Sequence, residues 1–386
     1  MPNADKATDT DLTVTSTFAL PDGWPGASDP GDARCHVFQT REFIHAWQES
    51  YGKSGRHTAI FVEVLAGDGS LMLQIPFCLE IRGGLKVLTF LDQGHADYNC
   101  PVFHPAAPAW SKNRALALWR EIAGAVPEFD IAFLEKIAPG IDGYENPLFL
   151  ITDTESKEFC HGNDLTKPWA DIEATQFNLK TLKRYGRRLE EMGKTRLVIA
   201  GTLEDGREML DRLIIQKQRR FEETLVPTFD QNPTSLEFLY KATDGFGRSG
   251  NLFLVGLYVG EEPAAITWGL TMNRCLYSLV MGFEDGIWRK YSSGRILNLR
   301  LLEWLKENGF EYLDHGFGNE DYKVRSCDTT VILKEAILPE TARGKAHIIR
   351  RNAIARIKAT ALWQKLRPLK WKLKYALRSL TGKKTS

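Results

Sequence analysis

Residues 275–323 read CLYSLVMGFEDGIWRKYSSGRILNLRLLEWLKENGFEYLDHGFGNEDYK, and this stretch decides the fold. Leu276–Phe283 is an apolar run with β-branched and aromatic residues, the pattern of a buried strand. A basic loop with one glycine follows, Arg289-Lys290-Tyr291-Ser292-Ser293-Gly294-Arg295. The spacing of Ile296, Leu297, Leu299, Leu301, Leu302, Trp304 and Leu305 predicts an amphipathic helix, which Asn308-Gly309 stops. Phe310–Leu313 predicts a second strand running into a glycine-rich turn. Strand, phosphate-sized loop, helix and strand make a unit whose helix N-terminus can hold an anion, because the first helical N–H groups lack internal partners. A plain loop capped by Ser292 or Ser293 would read the same way.

Outward from this stretch, Val331–Ile337 predicts one last strand. Before it, Phe253–Tyr258 and Ala264–Met272 predict a hairpin across Gly260-Glu261-Glu262-Pro263. Gly206–Glu223 predicts a long helix, with Lys217, Arg219 and Arg220 off its apolar stripe. Leu197–Ala200 reads as a strand and Leu179–Glu191 as a basic helix. In the first half, Thr40 opens a helix carrying Phe43, Ile44 and Trp47. Thr58–Leu65, Leu71–Ile81 and Leu85–Leu91 then alternate with glycine turns, as an antiparallel meander does. A loop at Asp97–Pro101, a helix over Ala115–Ala125 and a strand at Ile131–Leu134 complete that half. The two halves share an element order, which predicts an α+β protein of two tandem lobes with mixed central sheets flanked by helices. The expected boundaries are a flexible arm over 1–32, lobes over 33–165 and 166–340, and a basic helical tail over 341–386.

The chain has 386 residues, enough for two cores, with 43% hydrophobic and 26% charged residues as in soluble globular proteins. It shows no signal peptide and no apolar run of about 18 residues, which predicts a cytoplasmic protein. Its six cysteines lack metal-ligand spacing, so they read as reduced thiols with no metal site. Residues 342–386 hold 14 Lys or Arg and no Asp or Glu. Ile348–Leu366 and Pro368–Leu380 read as basic helices bearing Trp363, Trp371 and Tyr375. Such helices suit an anionic membrane surface, here the inner face, or the acidic body of the protein itself.

Four segments carry a resemblance: FQTREFIHAWQESYG from Phe38, IPFCLEIRGGLKVLTFL from Ile75, DYNCPVF from Asp97, and YSSGRILNLRLLEWLKENGFEYLDHGFGNEDYK from Tyr291. Together, over residues 36–338, they resemble the CelD/BcsL family. Its members are GNAT-like proteins associated with cellulose and exopolysaccharide biosynthesis and related to FemAB-type transferases. The resemblance implies two GNAT-like lobes. It also implies transfer of an acetyl or other acyl group from a CoA thioester to a hydroxyl or amine, on a polysaccharide or cell-envelope precursor. Acyl-CoA is then a co-substrate, with no tightly bound cofactor. Two alternatives stand beside this: FemAB-type aminoacyl transfer from tRNA, and a non-catalytic scaffold in a polysaccharide-synthesis complex.

The resemblance also distributes roles. Lys290, Tyr291, Ser292, Ser293, Gly294 and Arg295 would bind the donor, although only Gly294 matches the GNAT pattern Gln/Arg-x-x-Gly-x-Gly/Ala. A backbone N–H near Val280 or Met281 would polarise the donor carbonyl. Acid–base candidates are Asp97, Asp314, His315 and Tyr322. Tyr98, Lys217, Arg220, Glu320 and Lys323 are the substrate-binding candidates.

Overall fold

In the computed structural model, which describes residues 12–224 and 232–359, the expected meander forms the middle of a seven-stranded mixed sheet. Its strands are Thr13–Thr17 (β1), His57–Leu65 (β2), Leu71–Arg82 (β3), Leu85–Phe90 (β4), Val102–Phe103 (β5) and Ile131–Ile137 (β6), with a seventh from the far end of the chain. The helix Arg41–Ser50 (α1) precedes β2. β4 and β6 pair in parallel, so the chain must cross over between them, and Lys112–Ala125 (α2) is in that crossover. Ser111 caps α2 by accepting from the Arg114 N–H. A small hairpin, Gly140–Ile141 (β7) with Tyr144–Glu145 (β8), and the short helix Pro147–Leu150 (α3) lead out of this lobe.

The second sheet also has seven strands: Cys160–Asp164 (β9), Thr195–Ile199 (β10), Leu252–Val259 (β11), Glu262–Met272 (β12), Cys275–Phe283 (β13), Tyr312–Phe317 (β14) and Thr329–Val331 (β15). Their spatial order is β10-β11-β12-β13-β14-β9-β15. Its helices are Trp169–Ala174 (α4), Leu179–Met192 (α5), Leu203–Thr224 (α6), Pro233–Ser249 (α7), Ser293–Glu307 (α8) and Asp321–Ser326 (α9). The only parallel pair among the described strands of this sheet is β13–β14, joined through α8. Lys334–Pro339 (β16) then returns to the first sheet beside β6, and Ala342–Ala359 (α10) follows.

Several expectations change. The segment expected as an arm contains β1, paired with β2, and Trp24 is fully buried with its indole N–H on the Gln39 carbonyl. β9 belongs to the second sheet although it precedes residue 166, and β16 closes the first sheet although it precedes residue 340. The helix α7 was not expected, yet Asn232 caps it and Pro233 occupies its first turn. Of the expected tail, α10 is described as far as Ala359; residues 360–386, including Trp363, Trp371 and Tyr375, lie outside the described residues. Among the described residues no helix is long and apolar enough to cross a membrane.

The lobes share a core. Phe38, Phe43 and Trp47 of the first pack with Phe238, Phe246 and Trp268 of the second in one buried apolar cluster. The rings of Phe43 and Phe238 meet edge-on at 5.1 Å. A second cluster puts Leu297, Leu301 and Leu305 of α8 against Val255, Leu257, Leu276 and Leu313 of the sheet. On the opposite face α6 crosses β13 so closely that a Cβ on Gly282 would stand 3.2 Å from the Leu213 carbonyl oxygen. Buried Gln216 holds α6 there by donating to the Pro263 carbonyl at 2.7 Å. Gly282→Ala is therefore expected to lift α6 and cost about 1–3 kcal/mol. A urea-denaturation midpoint measures this, and an unchanged midpoint would contradict the tight crossing.

Candidate active site

β13 and β14 pair only at Cys275–Tyr312, Leu276–Leu313 and Tyr277–Asp314. Past these residues the strands separate, and β13 carries a register shift against β12 between Trp268 and Gly269. The Glu284 N–H bonds the Ala264 carbonyl at 3.0 Å, so Ala264–Glu284 is a hydrogen-bonded pair. In an antiparallel ladder these pairs alternate, and Thr267–Met281 is then a non-bonded pair. The N–H of Met281 consequently points away from β12, toward the opening between β13 and β14.

The N-terminus of α8 abuts this opening. Met281, Phe283, Ser292, Ser293, Gly294, Arg295, Asn298 and Tyr322 are among the residues that line a cavity of about 310 Å³. Gly294 lets the helix approach closely, since a Cβ there would stand 3.0 Å from the Met281 sulfur, which would have to shift. Ser292 precedes the helix in the left-handed region, φ 54°, and its side chain caps nothing. Buried Ser293 donates its hydroxyl to the Ala264 carbonyl at 3.0 Å. The first N–H groups of α8 thus keep their capacity for a ligand, assisted by the helix dipole. Arg295 turns away: it donates to the Phe177 carbonyl, and its guanidinium lies 5.6 Å from the Phe177 ring. Burial, then the nearby Arg325, lowers its pKa. Lys290 lies over the Tyr291 ring at 4.9 Å, and Tyr291 packs edge-on against Tyr185 of α5, so neither lines the cavity.

The first lobe contributes the loop 92–99 to the same opening. Lys136, itself in a left-handed conformation with φ 53°, pairs with Asp92 at 3.0 Å and donates to the Ala96 carbonyl. Burial opposes its charge, but Asp92 and Asp97 hold its pKa above the usual lysine value. Tyr98, only 2% exposed, donates its hydroxyl to Asp314 Oδ2 at 2.5 Å, joining the two lobes. Asp314 Oδ1 accepts the Gly316 N–H at 2.6 Å. Asp97 then lies against the Cα of Gly316, where a Cβ would collide with its carboxylate. Gly316 has φ 74°, so glycine meets both the backbone and the space requirement.

Two carboxyls therefore share the end of β14. Burial pushes the Asp314 pKa up to about 7; Asp97 adds to this, while the Tyr98 bond and Lys323 oppose it. Burial also raises Asp97, against the pull of Lys136, Lys323 and the Phe317 N–H. Lys323, 5% exposed, donates to the Phe317 carbonyl at 2.8 Å and pairs with Glu320 at 3.0 Å. It closes the glycine turn from within, and Glu320 remains at the surface before α9.

His315 points to the other face of β14. Asn163 donates its amide to the Ser326 carbonyl, so its oxygen accepts from His315 Nε2–H at 3.1 Å, leaving Nδ1 unprotonated. Burial, then Lys323, lowers the His315 pKa to about 3. Tyr322 faces the α8 cavity and meets the His315 ring edge-on at 6.3 Å, and burial raises its phenol pKa. Asp97 and Lys217 line a second cavity of about 240 Å³, together with His95, Phe238 and Val280 among others. Val280 and Met281 are neighbours on β13 with opposite side-chain directions, so the two cavities lie back to back across the strand. The side chain of Arg220 lies outside the described residues.

Sequence reasoning did not single out His95 or Lys136. His95 Nε2 lies 3.1 Å from both the Tyr51 hydroxyl and the Ser235 hydroxyl, and burial lowers its pKa to about 3. Its position two residues before Asp97 was the available signal. Lys136, at the end of β6, had none.

Residues 177–324 match the family model described as acetyltransferase (GNAT) domain. Comparison with curated proteins gives no match. Among solved structures, FemX aligns with TM-score 0.53 at 10% identity, over 81% of this chain and 94% of its own. A conserved protein of unknown function from Bacteroides thetaiotaomicron gives 0.49 at 12% identity, covering 77% and 89%. A tandem GNAT protein from the clavulanic acid biosynthesis pathway gives 0.45 at 14%, covering 86% and 100%. The two-lobed fold is thus shared with FemX, and the match to the GNAT domain model covers most of the second lobe.

A carboxyl whose folded pKa is raised contributes stability below its unfolded pKa and loses it as pH rises through the folded value. Asp314 therefore makes stability fall between about pH 4 and pH 7. Asp314→Asn is expected to flatten that segment of a denaturation-versus-pH curve; an unchanged slope would contradict the assignment. Lys136→Met strands Asp92 and is expected to cost about 3–5 kcal/mol in denaturant unfolding.

Proposed function

We propose that the protein is an acyltransferase of the CelD/BcsL-like kind, moving an acyl group from a CoA thioester to an amine or hydroxyl of a polysaccharide or cell-envelope precursor. The observation that carries this reading is the half-buried Asp97 carboxylate beside Gly316, where β13 and β14 part next to the open N-terminus of α8. The GNAT match over residues 177–324 supports it.

In this reading the donor lies in the α8 cavity, its phosphates on the N–H groups of Ser293 and Gly294 and its acyl chain along Met281 and Phe283. The acceptor enters on the Asp97 side. Its nitrogen or oxygen attacks the thioester carbonyl carbon and passes its proton to Asp97. A raised pKa makes that carboxylate a better base than an exposed one. The Met281 N–H donates to the carbonyl oxygen as charge builds there. The C–S bond then breaks, and the leaving thiolate takes the Tyr322 phenol proton. Lys323 and Asp314 hold the turn and the loop that aim Asp97. Lys217 faces the acceptor, and Glu320 stands at the rim.

The FemAB-type alternative, an aminoacyl ester on tRNA, is favoured by one observation. Arg295 lines the cavity, but its guanidinium is tied to the Phe177 carbonyl instead of standing ready as a phosphate ligand. Thermal unfolding with acetyl-CoA, CoA and charged tRNA separates the readings. Stabilisation by acetyl-CoA, about 2.7 kcal/mol at a hundredfold excess over Kd, is the expected result. Stabilisation by charged tRNA alone selects the alternative. No response to either overturns both and leaves the scaffold role. With the donor established, Asp97→Asn is expected to lower kcat by about 10²–10⁴-fold.

A further inference from the structure

A large cavity apart from the donor site is lined mostly by the first lobe, with Asn232 and Thr234 of the second completing it. It has a volume of about 650 Å³ and is lined by polar and charged side chains. Glu80 on its floor is held by Arg82 and, at 3.3 Å, by His57. Asp92 at its back is paired with Lys136. Arg56 and Glu135 also line it, and neither makes an ion pair among the described residues. The cavity therefore offers a cation, Arg56, and an anion, Glu135, that make no close ion pair, beside charges that do. A void of this size falls within the range that takes small-molecule ligands.

This cavity and the one holding Asp97 meet at the Gln93-Gly94 turn, whose residues line both. Gln93 is held in the left-handed region, φ 41°, unusual for a residue with a Cβ. Its amide oxygen accepts the N–H of fully buried Trp47, and its amide nitrogen faces the Cys78 sulfur at 3.5 Å. Both ends of the side chain are thus committed to the core, and the bend persists because the surroundings over-determine it. The bend brings Gly94, without a side chain, between the polar cavity and Asp97.

We infer that the polar cavity seats the acceptor, and that the acceptor is a hydrophilic amine that also carries an anionic group. The anionic group meets Arg56, the hydroxyl or amino substituents meet Glu135, and the reacting nitrogen passes Gly94 to reach Asp97. This inference rests on the reading of Asp97 as the base, but its binding part can be measured without any donor.

The test is calorimetric titration of the intact protein, without thioester, using glucosamine 6-phosphate, glucosamine and glucose 6-phosphate. Glucosamine 6-phosphate is expected to bind at least tenfold more tightly than either of the others. Arg56→Glu is expected to abolish that preference, while Lys53→Glu, an exposed lysine outside the cavity lining, is expected to retain it. Circular dichroism checks that both variants are folded. Equal affinities, no binding by any of the three sugars, or an Arg56→Glu variant that still discriminates would overturn the inference. If discrimination holds and acetyl-CoA neither binds nor reacts, the cavity assignment stands and the donor reading fails. If acetyl-CoA binds and discrimination is absent, the reverse follows.

Discussion

The site depends on one buried interaction, the hydrogen bond from Tyr98 to Asp314. It ties a loop of the first lobe to the end of a strand in the second. The loop 92–99 is neither helix nor strand, and its one bridge to a strand, Asn99 with Ile137, lies at its end. Ordering each residue costs about 1–2 kcal/mol of backbone entropy, so the loop must be held by bonds at several points. Lys136 supplies two of these and Tyr98 a third, while Asn99 adds bonds to Asp92 and the Glu135 carbonyl. The consequence is that Asp97 is delivered to Gly316 in a medium where a carboxylate is costly to ionise. That cost raises the pKa of both carboxyls, and Lys136 and Lys323 keep it within bounds.

The two sides of β13 differ in chemistry. Toward α8 the wall is Met281 and Phe283, with serine and glycine N–H groups at one end. Toward the first lobe it is Asp97, Lys217 and His95 among aromatic residues. Under the proposed function, the apolar side suits an acyl chain with a phosphate-bearing handle, and the polar side suits a nucleophile that must lose a proton. The strand between them needs no movement to serve both, because successive residues face opposite ways. The shared aromatic core between the lobes keeps these two sides in register.

The resemblance to the CelD/BcsL family rested on text at both ends of this arrangement, the Asp97-Tyr98 loop and the Asp314-to-Lys323 turn. Those segments do meet. Their individual roles divide differently from the expectation, because contacts made across 216 residues decide them. Tyr98, expected at the substrate, is buried as a bridge. Lys323, expected at an anionic ligand, caps the glycine turn with its ammonium. Arg295, expected at the donor, binds a backbone carbonyl.

Periodicity in the sequence determined the meander, the β11–β12 hairpin, the strand β13 and the helix α8, since each hides its apolar residues within a local pattern. It did not reveal β9, and although Val331–Ile337 read as a strand overlapping β16, it did not show that β16 completes the first sheet. These strands take partners more than a hundred residues away, and a short strand has no local signature of which sheet it completes. Tertiary structure alone decided that β13 and β14 part after three pairs, that Lys136 pins the loop, and that the Gln93-Gly94 turn borders both a polar cavity and the one holding Asp97. Each of these depends on which distant groups are buried together, and burial sets both the pKa of a carboxyl and the space left for a ligand.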